Sequence, residues 1–319
     1  MKDRHVLVLG GCGYIGSVLV PALLDAGCRV TVFDIQWFGS HLPPHGQLDV
    51  VQGDIRDAAA LPMDGVDVVI HLANVANDPC GELNAKLVWE VNVLAAMQVV
   101  ERALASGVEQ FIYASSGSVY GVKEEAQVTE DLSLVPISDY NKTKMIAERV
   151  LLSYQDQIRL QIVRPATVCG FSPRTRLDVS VNMLTLQALT RGLITVFGGQ
   201  QTRPNIHIRD IVGVFLHFMG PGRDRTGIFN AGFENISILD MAREITTRVA
   251  AEIKVTASND PRSYRLNSDK LLATGFQPGF GVGTAMDELI GAYGAGILKD
   301  RENNYNIKTM KQLMEQGRL

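Results

Sequence analysis

The chain has 319 residues, of which 46% are hydrophobic and 20% are charged, and its formal net charge is −4. This size allows a large buried core in one large domain or in two closely joined domains. The charge argues against the basic surface of a nucleic-acid-binding protein.

The four cysteines are scattered without a C-x-x-C pair, so we predict no metal site and no disulfide framework. The N-terminus does not resemble a signal peptide, and no apolar stretch reaches the about 18 residues that span a membrane. We therefore expect a cytoplasmic protein with no membrane partner.

Short apolar segments alternate with helical patterns through the first half of the chain. Continuous runs of Val, Ile and Leu predict buried strands, and the segments between them have helical spacing. The predicted strands are His5–Leu9, Arg29–Phe33, Val50–Asp54, Val66–Leu72, Gln110–Ala114 and Ile158–Arg164. The predicted helices between them include Gly16–Ala26 and Leu83–Ser106. Buried strands that alternate with helices indicate a parallel sheet covered on both faces, so we predict a doubly wound parallel sheet, an α/β Rossmann fold.

The second half of the chain alternates less regularly. Asn182–Arg191 is predicted to be helical, and Asn205–Asp210 is predicted to return to the sheet before an apolar helix that ends near Met219. No Pro- or Ser-rich linker separates the two halves. The second half is therefore expected to interleave with the first.

A glycine-rich pattern lies between the first predicted strand and the first predicted helix. Gly10, Gly13 and Gly16 allow a tight turn and a close backbone approach to a pyrophosphate, and the helix that follows offers free N–H groups. Asp34 ends the second strand, as the dinucleotide-binding fingerprint requires. Its carboxylate can accept hydrogen bonds from both ribose hydroxyls and would repel a 2′-phosphate, and no Arg or Lys lies between Asp34 and Val51. The sequence therefore predicts NAD rather than NADP as the cofactor.

Tyr140 and Lys144 have the i, i+4 spacing that places two side chains on one face of a helix. A phenol ionises near pH 10, at about the reference value, which is too high for a base in neutral solution. A nearby ammonium group favours the phenolate and lowers this pKa. The pair is therefore a candidate general acid/base that exchanges a proton with a substrate hydroxyl.

Several further segments occur in a specific order with these motifs. They are Gly53–Asp57, His71–Asn74, Asn92, Ser115–Gly121 and Arg203–Asp210. Together with the glycine-rich turn and the Tyr–Lys pair, they resemble the extended short-chain dehydrogenase/reductases of the NAD-dependent epimerase/dehydratase family, which modify nucleotide sugars. The resemblance extends roughly from Val6 to Leu289.

The resemblance implies a role for each matching residue. Tyr140 would be the catalytic acid/base, Lys144 would adjust its pKa and hold the nicotinamide ribose, and Ser116, with Ser118 nearby, would bond the reacting sugar oxygen. The residues expected to contact the cofactor are Gly10, Gly13, Tyr14, Ile15, Gly16, Asp34, Asp54, Ile55, Leu72, Ala73, Asn92, Ser115 and Pro165. For Asn92, a satisfied buried amide is the alternative to direct contact.

The substrate is expected to be a nucleoside-diphosphate sugar, held by local donors. The candidates for binding it are Asn77, Thr167, Arg174, Arg176, Asn182, Arg203 and Arg262. Arginine forks suit phosphate oxygens. Thr167 stands where galactose epimerases carry an asparagine that faces the substrate diphosphate, which disfavours UDP-galactose itself.

The reaction that follows oxidation is left open by these motifs. Gly117–Tyr120 lacks the carboxylate that the resembling dehydratases carry there, which disfavours dehydration. We favour a 4-epimerase of polysaccharide-precursor synthesis. The alternatives are a net 4-dehydrogenase/reductase with a GDP-heptose-like substrate, then a 4,6-dehydratase, then an NAD-binding sensor without catalysis.

The resemblance also predicts the domain organisation. Residues 1–165, with 205–235 returning to them, are expected to bind NAD, and residues 166–204 and 236–300 are expected to form a smaller, interleaved C-terminal substrate-binding domain. Residues 301–319 are predicted to be a C-terminal tail. A homodimer is expected to pack through the Leu83–Ser106 and Tyr140–Tyr154 helices.

Overall fold

The computed structural model describes residues 1–222, 225–258 and 263–319 of the chain. Its strands are β1 (His5–Leu9), β2 (Arg29–Asp34), β3 (Leu48–Gln52), β4 (Val68–His71), β5 (Gln110–Ala114), β6 (Arg159–Pro165), β7 (Thr167–Cys169), β8 (Leu193–Phe197), β9 (Thr202–His207), β10 (Gly227–Ala231), β11 (Glu234–Ser237) and β12 (Glu252–Thr256). Its α-helices are α1 (Gly16–Asp25), α2 (Asp78–Leu83), α3 (Ala85–Trp89), α4 (Ala95–Ala105), α5 (Asp139–Leu152), α6 (Ser180–Arg191), α7 (Ile208–Met219), α8 (Ile238–Thr246), α9 (Asp269–Leu272), α10 (Val282–Gly294) and α11 (Asn306–Glu315). None of these helices combines the length and the hydropathy needed to cross a membrane.

A parallel sheet of seven strands dominates the described chain, in the order β10-β6-β5-β4-β1-β2-β3. Alternate residues of β1 point to opposite faces, as the strand period of two requires. Val6 and Val8 join the core that contains α1 and α7, whereas Leu7 and Leu9 join the core that contains α4 and α5. Helices therefore cover both faces, which confirms the predicted doubly wound α/β fold. The strand order reverses between β1 and β4, so a crevice opens at the carboxyl ends of these strands.

The segment Asn205–Asp210, which was predicted to return to the large sheet, does not join it. Asn205 lies in β9, which pairs with β7 and β11 in a smaller three-stranded sheet. The strand that extends the large sheet is β10, which pairs with β6. Phe229 and Ala231 of β10 are buried in the same core as α7, so this strand closes the edge of the sheet that β6 would otherwise expose.

The predicted helix Leu83–Ser106 is divided into three parts. Between α3 and α4, residues Glu90–Leu94 form a π-helical turn, a feature that is common at functional sites. The turn contains Asn92, whose amide accepts a hydrogen bond from the Val75 N–H at 2.9 Å and donates one to the Thr143 hydroxyl at 3.1 Å. Asn92 therefore joins the loop after β4 to helix α5.

The C-terminal residues return to the crevice. Helix α11 packs against α2, and Met310 is buried in the core on the α4 side of the large sheet. The segment that we predicted as a tail thus contributes Asn306, Ile307 and Met310 to the wall of the crevice.

Candidate active site

A cavity of about 750 Å³ lies at the carboxyl ends of the parallel strands. Its wall includes most of the predicted site residues, namely Gly10, Gly13, Tyr14, Ile15, Gly16, Asp34, Asp54, Ile55, Leu72, Ala73, Asn77, Ser115, Ser116, Ser118, Tyr140, Pro165, Thr167, Arg174, Arg176 and Arg203. Lys144, Asn92 and Asn182 are buried behind this wall. Arg262 lies outside the described residues.

The glycine-rich turn passes very close to the end of β4. Gly10 has a φ of +81°, and a Cβ atom at this position would lie 2.6 Å from the backbone nitrogen of Ala73. At Gly16 a Cβ atom would lie 2.4 Å from the carbonyl oxygen of Gly11. Only glycine fits both positions, and the turn consequently brings backbone atoms and the start of α1 to the cavity.

Asp34 stands at the end of β2 with its carboxylate held by the backbone. One oxygen accepts a hydrogen bond from the Cys12 N–H at 2.9 Å, and the other accepts one from the Gln36 N–H at 2.7 Å. Burial raises the pKa of Asp34, and these two bonds oppose the rise. The carboxylate is therefore oriented toward the cavity with acceptor capacity left for a ligand hydroxyl.

These features fit a dinucleotide cofactor. The crowded backbone at Gly10 suits a pyrophosphate, and the fixed acceptor at Asp34 suits a ribose diol. Asp54 and Ile55, which follow β3, also line the cavity, and Pro165 lines it at the end of β6. The residues present can thus hold NAD along the ends of the strands.

Tyr140 lies in the first turn of α5 and faces the cavity. Ser138 caps this helix by accepting a hydrogen bond from the Asn141 N–H at 3.1 Å. Burial raises the pKa of Tyr140 to about 12, while the positive charge of Arg176 and a hydrogen bond with Ser116 oppose the rise. The sequence predicted a lowered pKa, but burial disfavours the phenolate more strongly than these neighbours favour it.

Lys144 lies one turn further along α5 and is almost completely buried. Its Nζ donates to the carbonyl oxygen of Ala114 at 2.8 Å and to the Tyr113 hydroxyl at 3.3 Å. Burial lowers the pKa of Lys144 to about 7, although the charge of Glu148 opposes this change. Burial thus weakens the preference of Lys144 for its charged form, and the cation whose charge favours the Tyr140 phenolate is Arg176.

A chain of hydroxyl groups continues from Tyr140. Ser118 donates a hydrogen bond to Oδ1 of Asn141 at 2.6 Å, and the hydroxyl oxygens of Ser116 and Ser118 are 2.7 Å apart. Since Ser118 has one hydroxyl proton and uses it on Asn141, Ser116 donates to Ser118. The Ser116 hydroxyl also lies within hydrogen-bonding reach of Tyr140, where it opposes the rise in the pKa of the phenol. The chain thus orients both groups that would meet a sugar hydroxyl.

A buried ion pair supports the floor of the site. Arg164 donates to both oxygens of Glu148, at 2.9 and 2.6 Å, and both side chains are at most 2% exposed. Ser115 donates to Glu148, and Arg164 also donates to the Tyr120 hydroxyl at 2.7 Å. This network fixes the end of β5, next to Ser116, to β6 and α5.

The loop after β7 carries Arg174 and Arg176 over the cavity. Arg176 forms a 2.7 Å ion pair with Asp178, whose second oxygen accepts from Asn77 at 3.3 Å. Asn182 accepts from the Gly170 N–H at 3.0 Å and donates to the Arg176 carbonyl at 2.8 Å. The amide of Asn182 therefore shapes the loop from behind.

Asn141, Asp78, Asp178 and Asn306 are among the residues of this site that did not emerge from the sequence patterns. Asn141 and Asp78 are short polar residues beside predicted site residues, so their proximity along the chain was a usable signal. Asn306 carried no such signal because its partners are more than a hundred residues away.

Comparison with known proteins agrees with this geometry. The chain is 34% identical to the uncharacterized protein y4nG of Sinorhizobium fredii (strain NBRC 101917 / NGR234) over 222 residues, which are 67% of this chain and 52% of that protein. The chain thus spans about half the length of this relative. It is 27% identical to a UDP-glucose 4-epimerase of Lactobacillus helveticus over 272 residues, which are 76% of this chain and 81% of that enzyme.

A solved structure and a family model extend the comparison. The structure of MoeE5 in complex with UDP-glucuronic acid and NAD matches with a TM-score of 0.80 and 26% identity, covering 92% of this chain and 99% of that one. The model of the NAD dependent epimerase/dehydratase family matches residues 6–232. The chain therefore belongs to this family of NAD-dependent enzymes, as its motifs predicted.

Proposed function

We propose that the protein is an NAD-dependent nucleotide-sugar 4-epimerase. The observation that carries this proposal is the hydrogen-bond chain from Tyr140 through Ser116 and Ser118 to Asn141, which lies on the cavity wall. It presents one acid/base group and one hydroxyl partner to a single substrate oxygen. Oxidation of one sugar carbon and its reversal require no further acid or base.

Tyr140, as the phenolate, would accept the proton of the sugar hydroxyl, and Ser116 would turn its hydroxyl proton from Ser118 to the sugar oxygen. When bound, NAD supplies the acceptor for the hydride from the same carbon and the donor for its return. Arg176 favours the phenolate through its positive charge. Tyr140 would give the proton back once the opposite face of the oxidised sugar is presented, so that atoms and electrons balance.

The carboxylates around the cavity give little support to dehydration. Elimination of water needs a second acid/base pair, and Gly117–Tyr120, which follows Ser116, contains no carboxylate. Asp178 lines the cavity but is engaged by Arg176 and by the Asn306 N–H. Asp78 and Glu82 of α2 also line it, and Asp78 accepts a hydrogen bond from the Ser138 hydroxyl. We therefore favour 4-epimerisation and net 4-dehydrogenation, which need only Tyr140 as acid/base, over 4,6-dehydration.

The substrate proposed is a nucleoside-diphosphate sugar of cytoplasmic polysaccharide-precursor synthesis. The Lactobacillus helveticus relative is a UDP-glucose 4-epimerase, and the matching MoeE5 structure contains UDP-glucuronic acid. Thr167, Arg176 and Arg203 line the side of the cavity formed by 166–204, and Asn77, which bonds Asp178 of that side, lines the cavity as well; these four residues would contact the substrate. We propose that this part, with 236–300, is the substrate-binding domain.

Isotope transfer tests the proposal against a net 4-dehydrogenase. UDP-, GDP-, CDP- and dTDP-sugars that carry deuterium at C4 are incubated with the enzyme, and products are read by NMR and NADH absorbance. An epimerase yields the C4 epimer with deuterium retained and no net NADH. Accumulation of a 4-keto sugar with stoichiometric reduced cofactor would show that the reaction ends at oxidation, and loss of water would indicate a dehydratase.

We also propose a homodimer that packs through α3, α4 and α5. Trp89 and Leu94 are 37% and 51% exposed on this face, which is high for large apolar side chains. Light scattering of the purified protein is expected to give twice the mass of the chain. A monomer at micromolar concentration would contradict this assembly.

A further inference from the structure

Arg174 lies on the side of the cavity that faces β2. Its guanidinium carbon is 3.9 Å from the centre of the Phe38 ring, which follows β2 by a few residues. Its charge is among the influences that oppose the rise in the pKa of Asp34. Arg174 thus contacts the segment that follows Asp34, the residue expected to hold the adenosine ribose, whereas the sequence predicted that it would bind the substrate.

The positive charge of Arg174 is poorly compensated within the protein. The side chain is 3% exposed, and its Nε has no hydrogen-bond partner among the described residues. The nearest carboxylate of the loop, Asp178, is paired with Arg176 at 2.7 Å. Burial, with a contribution from the charge of Arg176, lowers the pKa of Arg174 to about 10. A buried cation in this position is stabilised by an anionic ligand.

The C-terminal segment holds Arg174 in place. Its Nη2 donates to Oδ1 of Asn306 at 2.6 Å, and the Asn306 N–H donates to Asp178 at 3.0 Å. Ile307 and Met310 of α11 also line the cavity, and Met310 is anchored in the main core. Helix α11 therefore joins the arginine-bearing loop to the cofactor side of the site.

We infer that Arg174 binds a phosphate of the dinucleotide cofactor and that α11, through Asn306, positions it to do so. The substrate also carries a diphosphate, but Phe38, the ring that Arg174 stacks on, follows Asp34, which is expected to hold the cofactor ribose. A guanidinium that is stacked on a ring and bonded to an amide is already oriented, so little conformational entropy is lost when it meets a phosphate. The C-terminal segment is, on this inference, a cofactor-retention element.

Ligand binding by purified variants separates the two diphosphates. Dissociation constants for NADH are measured by fluorescence and those for UDP by calorimetry, in Arg174→Gln, Asn306→Ala and the wild type. Because a charge-assisted hydrogen bond is lost, Arg174→Gln is expected to weaken NADH binding about 10- to 100-fold. Asn306→Ala is expected to weaken it about 3- to 10-fold, since the guanidinium remains but loses its orientation. UDP binding is expected to stay within about two-fold.

Lys311→Gln is the matched control, because it removes a charge from the exposed face of the same helix. Circular dichroism checks that each variant folds, and Asn306→Ala keeps the test decisive if Arg174→Gln does not fold. Unchanged NADH binding in both site variants would overturn the inference. A loss of UDP affinity equal to or larger than the loss of NADH affinity would overturn it as well, since it would assign Arg174 to the substrate.

Discussion

Ser118 donates a 2.6 Å hydrogen bond to the side chain of Asn141, the residue that directly follows Tyr140 on α5. This bond uses the only proton of Ser118 and so determines the direction of the hydrogen bond from Ser116. We expect Ser118→Ala to lower kcat about 10-fold with little change in KM, because Ser116 loses its orientation and not its hydroxyl. Steady-state kinetics with the substrate found by the isotope screen measures this. Ser153→Ala, at an exposed position, serves as the control, and an unchanged kcat for Ser118→Ala would refute the role.

Tyr140→Phe removes the proposed acid/base. We expect kcat to fall about 10²- to 10⁴-fold, the usual contribution of general acid–base catalysis. NADH binding should persist, because the glycine-rich turn and Asp34 are unchanged. Tyr154→Phe removes a surface hydroxyl that bonds Glu101 at 2.9 Å and should retain full activity. Substantial turnover by Tyr140→Phe would rule out this residue as the base.

Arg176→Gln tests the charge that favours the Tyr140 phenolate. Since Arg176 lowers the pKa of the phenol, its loss should raise that pKa and shift the rising limb of the pH–rate profile to higher pH. Activity near pH 7 is expected to fall about 10-fold, and the deficit should narrow at alkaline pH. Arg176→Lys, which keeps a positive charge, should shift the profile less. Superimposable profiles for the wild type and Arg176→Gln would exclude this electrostatic role.

Lys144→Met is expected to change how stability depends on pH. The pKa of Lys144 is about 7 in the folded protein and about 10.4 in an unfolded chain. Between these values the unfolded state binds more protons, so this residue makes the folded state more stable as the pH rises. The penalty for burying the charge is complete below about pH 7 and declines above it. The free energy of unfolding of Lys144→Met should therefore exceed that of the wild type most clearly near pH 7. Each unit by which burial lowers the pKa of Lys144 contributes up to about 1.4 kcal/mol to this difference.

Urea unfolding at several values between pH 7 and 9.5 measures this difference. The free energy of unfolding of Lys144→Met minus that of the wild type should shrink as the pH rises. Lys142→Met, on the exposed face of the same helix, should show no such trend. A difference that stays constant with pH would contradict the lowered pKa.

Glu148→Gln should destabilise the protein by about 3–5 kcal/mol, because it leaves the Arg164 guanidinium buried without its carboxylate. Glu109→Gln offers a matched comparison. Glu109 is 65% exposed and pairs with Arg4 at 3.8 Å, so its loss should cost less than about 1 kcal/mol. Urea unfolding at pH 7 measures both. Equal effects would show that the buried pair does not support the floor of the site.

The sequence alone was sufficient for the features whose partners lie nearby in the chain. The glycine-rich turn, Asp34 and the Tyr140–Lys144 spacing depend on one strand, one turn or one helix, so residue type and period predict them. The buried strands were predicted for the same reason. The large sheet and the family membership followed from the order of these local features.

Only the tertiary structure decided how these parts act on one another. It showed that Lys144 is buried against Ala114 and that Arg176 is the cation whose charge favours the Tyr140 phenolate. It also brought Asn306 to Arg174 across 132 residues of chain. Burial and long-range contacts set these relationships, because the pKa of a group and the partner of an arginine depend on everything packed around them in space. A sequence pattern shows only which residues are neighbours along the chain, whereas Lys144 and Arg174 contact residues that are distant in sequence.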